Sequence, residues 1–97
     1  MLAITSRLKV KKGREADFER VALELAESTL ANEKDCHGYR LARSPHDPQL
    51  YELLERYADD AALAIHSNSN HLRDAVPALM DCLDGTPEVA LFEEVGA

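Results

Sequence analysis

The chain has 97 residues and carries 18 Asp and Glu against 11 Lys and Arg, for a formal net charge of −7. A chain of this length makes one domain with a modest core, residues 1–97 as a single unit, and a core that small favours an oligomer. The acidic balance argues against nucleic acid and anionic membrane surfaces as partners, because both call for clustered Lys and Arg. Two cysteines, Cys36 and Cys82, stand far apart with no CxxC pair, which argues against a disulfide framework and a structural zinc site. With no leader pattern and no long apolar run, the expected location is cytoplasmic.

The first predicted element is a strand. Leu2, Ile4, Ser6, Leu8 and Val10 alternate with Ala3, Thr5, Arg7 and Lys9, the period of a half-buried strand. Ser6 interrupts the apolar face, either as tolerated packing or as a cavity wall. Lys11-Lys12-Gly13 is a turn. A helix is predicted from Arg14 to about Asn32, with Glu15 and Asp17 in its first turn, where the macrodipole favours them. Phe18, Val21, Ala22, Leu25 and Thr29 form its apolar stripe, widened by Leu23, Ala26 and Leu30. At 1.5 Å per residue the helix is about 28 Å long, enough to cross a small sheet.

Lys34 to Gly38 reads as a loop, Tyr39 to Ser44 as a second strand, and Pro45-His46-Asp47-Pro48 as a hairpin turn. Leu50 to Ala58 is the third strand, with Tyr51, Leu53, Glu55 and Tyr57 on one side and Leu50, Glu52, Leu54 and Arg56 on the other. Asp59 and Asp60 suit the start of a short helix that His66 ends. After the polar break Ser67-Asn68-Ser69-Asn70, a further helix is expected, with Asn70 as N-cap and Leu72, Ala75, Val76, Leu79, Met80 and Leu83 at helical spacing. Pro77 lies inside that pattern and predicts a kink or restart near Val76; Gly85 is the expected stop. Val89 to Val95 is the last strand, apolar on both faces at Val89-Ala90-Leu91-Phe92, which predicts burial on both sides.

The order β-α-β-β-α-β, its second helix split, specifies a ferredoxin-like α+β sandwich on a four-stranded antiparallel sheet. Helices cover one face only, and the other keeps apolar side chains that a second subunit should cover. The expectation is therefore a homodimer.

The chemistry candidates cluster around Leu50–Leu72. His66 either closes a helix end structurally or presents a neutral imidazole that handles a proton near pH 7. His66 and His71 are five apart across a polar break, whereas two ligands on one helix face sit three or four apart; no metal is expected. Glu55, on the inward face, either pairs with Arg7, Arg40 or Arg43, on a neighbouring strand or across a dimer, or acts as a base with a raised pKa. Tyr57 offers a ring with a polar tip, for packing or for a cavity.

The pattern Tyr51-x-x-x-Glu55-x-Tyr57-x-Asp59-x-x-Ala62-x-x-x-His66-x-x-Ser69-x-His71 resembles the antibiotic biosynthesis monooxygenase domain family. Lys12-Gly13-Arg14-Glu15 before the long helix, and Asn32-Glu33 with Gly38-Tyr39 before the second strand, extend the resemblance over most of the chain. It implies a dimeric α+β barrel of paired sheets, with a cavity between helices and sheet in each subunit. The activity it implies is cofactor-independent oxygenation of a small aromatic polyol or quinol, with His66 and Tyr57 catalytic and Ser6, Glu55 and His71 lining the pocket. No flavin or nicotinamide is expected, in keeping with the lack of a Gly-rich nucleotide motif. The haem-degrading relatives carry asparagine, tryptophan and histidine where this chain has Ser6, Tyr57 and Val76, so haem is not expected. A related branch, the autoinducer-2 degradation isomerase, is similar in its Glu-x-Tyr, helix, His layout. It implies an alternative, isomerisation of a small hydroxy-ketone or phosphorylated dione. A non-enzymatic ligand-binding dimer is the third reading.

Overall fold

The computed structural model describes residues 1–96. It contains β1 (Leu2–Lys9), α1 (Glu15–Asn32), β2 (Cys36–Arg43), β3 (Leu50–Tyr57), α2 (Asp60–Ser67), α3 (Asn70–Asp81) and β4 (Glu88–Glu93). The strands form one antiparallel sheet in the order β2-β3-β1-β4, the ferredoxin-like arrangement that the element order specifies. The register pairs Ser6 with Leu53 on one side and Val89 on the other. Strand alternation then sends Ser6, Leu8, Leu53, Glu55 and Tyr57 to the helix-covered side, where all are buried. Phe18, Ala22, Leu25, Ala26 and Thr29 of α1 complete the core from above.

Two caps position the residues that matter later. Asp59 accepts a hydrogen bond from the Ala62 backbone N–H at 2.9 Å and starts α2 directly after β3. This leaves Ala62 and His66, one turn apart, as the helix's buried residues. Ser69 then works in both directions: its hydroxyl donates to the His66 carbonyl at 2.7 Å and accepts from the Leu72 N–H at 3.3 Å. The end of α2 and the start of α3 are thereby tied together, with His66 on one and His71 on the other.

Several expectations are corrected. Leu23 and Leu30 do not widen the buried stripe; they are 54% and 50% exposed, on the solvent side of α1. Residues 36–38 belong to β2, which begins with a register shift between Cys36 and Gly38. Ser69, not Asn70, caps α3. Pro77 sits within one continuous α3, so the helix does not restart near Val76; the proline lies in its second half, where one missing N–H does not end the helix. That helix stops at Asp81 with Cys82 as its cap, ahead of Gly85, whose φ of +107° serves the turn into β4. Within the chain, Glu55 pairs with none of Arg7, Arg40 and Arg43. Arg7 binds Glu52 and Arg43 binds Glu19, and Arg40 is exposed. Finally, β4 is not buried on both sides: Val89, Leu91 and Phe92 are all more than half exposed, because β4 is an edge strand that no helix of this chain fully covers.

Candidate active site

A cavity of about 320 Å³ lies between the sheet and the helices, at the small end of the range for small-molecule sites. Its walls are aliphatic and aromatic, from all four strands and all three helices. Five polar residues face it: Ser6, Tyr39, Glu55, His66 and Ser67. The exposed residues Val76, Met80 and Val89 stand at its open end. No Lys or Arg lines it.

His66 is held from behind. Its Nδ1 lies 2.9 Å from Oε2 of Glu33, and the same oxygen lies 2.5 Å from Nε2 of His71. A carboxylate only accepts, so this geometry assigns the protons to His66 Nδ1 and His71 Nε2. Neutral His66 then keeps a bare lone pair on Nε2, the nitrogen on the cavity side, 3.9 Å from Oε1 of Glu55. The same Glu55 oxygen accepts the Tyr57 hydroxyl at 2.6 Å. Burial holds the Glu55 carboxyl above the usual range, with the Tyr57 hydrogen bond and His66 pulling it down. Burial and the adjoining carboxylate raise the Tyr57 phenol far above its ordinary value, and burial does the same for Tyr39. Both tyrosines are neutral hydroxyls at any physiological pH, and their rings flank His66 at centroid distances of 5.3 and 5.4 Å.

Of the residues singled out from sequence, Ser6, Glu55 and His66 meet at the cavity wall. Tyr57 and His71 stand behind it. The Tyr57 hydroxyl is committed to Glu55, and His71 reaches the site only through Glu33. Glu33 itself was not foreseen as a site residue. It caps the C-terminal end of α1, 33 residues before His66 and 38 before His71. The available signal was an electrostatic misfit. A carboxylate at a helix C-terminus faces the negative end of the macrodipole, and α1 has no basic residue in its last turn to offset it. The side chain is buried as well. Glu33, His66 and His71 each offer one ligand atom within 4.8 Å of the others. The one-helix spacing rule misses this set because its members come from the ends of three helices.

A ferredoxin-like α+β domain with a small apolar cavity and a carboxylate-oriented histidine in its wall defines the class. The sequence profile described as "Antibiotic biosynthesis monooxygenase" matches residues 1–78, and the chain belongs to that family. Among solved structures, a Caulobacter crescentus CB15 protein described as a candidate antibiotic biosynthesis monooxygenase is 33% identical. It superposes with a TM-score of 0.94 over 98% of this chain and 90% of that one. A conserved protein from Methanosarcina mazei Go1 is 26% identical, with a TM-score of 0.91 over 97% and 92% of the two chains. A further antibiotic biosynthesis monooxygenase structure is 27% identical, with a TM-score of 0.90 over 99% and 100%. No curated protein matches the chain. Among the described residues no helix is long and apolar enough to cross a membrane.

Proposed function

We propose that the chain is a cofactor-independent monooxygenase of small, uncharged quinols, with His66 as the base. The observation that carries this reading is the fixed imidazole: Glu33 holds Nδ1–H, and the bare Nε2 lies on the side of an apolar, quinol-sized cavity. A quinol hydroxyl within hydrogen-bond reach of Nε2 gives up its proton, and the imidazolium lies between the carboxyls of Glu33 and Glu55. The electron-rich quinolate reduces dioxygen directly. One oxygen atom enters the ring and the other leaves as water, giving a hydroxyquinone. The quinol supplies all four electrons, so no outside reductant is required. Ser6 and the buried apolar walls orient the ring and exclude water. The isomerase alternative, with a phosphorylated substrate, has less support: no cation lines the cavity to balance a phosphate. A purely ligand-binding role predicts binding without turnover.

The test is oxygen uptake over a panel of benzo- and naphthoquinols. Wild-type protein is expected to consume one dioxygen per hydroxyquinone formed, and His66→Gln to lose at least about 10²-fold in kcat. Full turnover in His66→Gln, or none by the wild type with any quinol, would overturn the reading. Dialysis against a chelator should not lower the rate.

We further propose that two copies pair sheet to sheet. The outer sheet face places Ala3, Thr5, Leu54, Ala90 and Phe92 side by side through the β1 register; Leu54 is 43% exposed and Phe92 56%. Ion pairs frame this patch, Arg7 with Glu52 and Arg56 with Glu94, in the manner of an interface rim. Sedimentation showing a folded monomer at micromolar concentration would refute the dimer.

A further inference from the structure

Glu33 satisfies only half of its hydrogen-bonding capacity. Oε2 takes both histidines, while Oε1 is buried with no hydrogen-bond partner among the described residues. An ionised carboxylate with an idle buried oxygen is costly, and a bound cation removes that cost. The three groups have the composition that suits a borderline metal: two imidazoles and one carboxylate favour zinc and its first-row neighbours over magnesium or calcium. The part-exposed His71 is the side on which the set meets solvent. A groove of about 450 Å³ runs between α1 and α3 and ends on His71, bordered by Glu24, Asp74 and Ser28. Arg20, its lone cation, already lies 3.7 Å from Glu24.

We propose that Glu33, His66 and His71 bind a divalent transition-metal ion of the zinc type, entering by the α1–α3 groove. The ligands are a carboxylate oxygen of Glu33, Nδ1 of His66 and Nε2 of His71, with water from the groove in the fourth position. Tetrahedral ligation at about 2.1 Å separates ligand atoms by roughly 3.4 Å. The pairs now at 2.9 and 2.5 Å move apart by less than 1 Å, the larger shift falling on the part-exposed His71, and the His66 and His71 nitrogens already lie within 4.8 Å of each other. Metal on Nδ1 obliges the neutral His66 ring to carry its proton on Nε2. The nitrogen on the cavity side changes from acceptor to donor and cannot take a substrate proton. This consequence, unlike the site itself, rests on the proposed function: the ion switches the base off.

Chelator-treated protein titrated with Co²⁺, followed by visible absorption and displaced by Zn²⁺, should take up one ion per chain. His71→Ala removes the most exposed ligand and leaves the core intact; it and Glu33→Gln should each weaken uptake by at least about 100-fold, beyond the usual effect of an outer-shell partner. Melting temperatures on the same preparations verify folding. A His37→Ala/His46→Ala double variant should bind as the wild type does, which separates the site from surface histidines. No one-to-one uptake, uptake that survives His71→Ala, or uptake lost in the double variant would each overturn the site. Quinol turnover gives the second arm. Zn²⁺ should inhibit in proportion to occupancy, and full activity at saturating Zn²⁺ would overturn the switch while leaving the site standing. Loss of the site would leave the proposed function untouched.

Discussion

The inward face of β3 carries two tyrosine–glutamate hydrogen bonds that look alike and do different things. At its start, Tyr51 donates to Glu19 at 2.5 Å, and Arg43 reaches the same Glu19 oxygen at 3.1 Å. The carboxylate there is part exposed and its charge is matched by a guanidinium. At the other end Tyr57 donates to Glu55 at 2.6 Å. No arginine follows, the carboxyl is buried, and its nearest cationic candidate is His66. The first end is an ordinary way to finish a buried tyrosine. The second withholds the cation that would settle the charge and leaves a histidine beside it. Uncompensated burial of this kind marks sites where proton affinity is being set.

The largest effect expected from this contrast is on turnover. His66→Gln should lower kcat at least about 10²-fold, whereas Glu19→Gln at the opposite end should leave kcat unchanged, both measured by oxygen uptake. Equal losses in the two would mean that the ends differ only in packing. The next largest effect is on stability. Tyr57→Phe strips the hydroxyl donor from a buried carboxyl and should cost about 2 kcal/mol at neutral pH, the penalty for an unsatisfied buried acceptor. Denaturant titration gives the number; a loss below about 0.5 kcal/mol would mean that the Tyr57–Glu55 bond contributes little.

Much of this arrangement was legible beforehand. Alternation placed Ser6, Glu55 and Tyr57 on the inward side, and a 3.6-residue stripe placed α1 over them. The arginine partners offered for Glu55 are the weak part, and parity already argues against two: Arg7 alternates with Ser6 and Leu8, and Arg40 with Tyr39 and Leu41, so both point outward. Glu33 was out of reach for a different reason. Its contacts span 33 and 38 residues, and local spacing rules cannot see ligands drawn from the ends of separate helices. The exposure of β4 was hidden because an apolar run reads the same whether its cover comes from this chain or from another.

The buried carboxyl also sets a pH dependence. Glu55 is protonated in both folded and unfolded chains below its ordinary value of 4.5 and costs nothing there. As pH rises through its elevated folded value, the unfolded chain ionises more readily, and stability falls. Glu55→Gln keeps an acceptor for the Tyr57 hydroxyl and removes the charge. Its stability gain should be near zero at about pH 4 and should grow as the pH is raised toward about 8. A gain independent of pH would place the effect in packing instead.

The smallest effect belongs to the settled end. Tyr51→Phe removes a hydroxyl whose partner, Glu19, keeps both Arg43 and access to water. No acceptor is stranded, the ring stays packed on Phe18 at a centroid distance of 4.9 Å, and only the net value of one hydrogen bond is lost. The expected cost is about 1 kcal/mol or less, with no change across the acidic range in which Glu55 titrates. Comparing Tyr51→Phe with Tyr57→Phe at neutral and acid pH isolates what the missing cation does. At neutral pH the Tyr57 variant should be the more damaged. In acid Glu55 is protonated and no charge is stranded when the Tyr57 hydroxyl is gone, so the two costs should converge. If instead they stay equal at every pH, the charge at Glu55 is already screened, and the contrast between the two ends of β3 reduces to geometry.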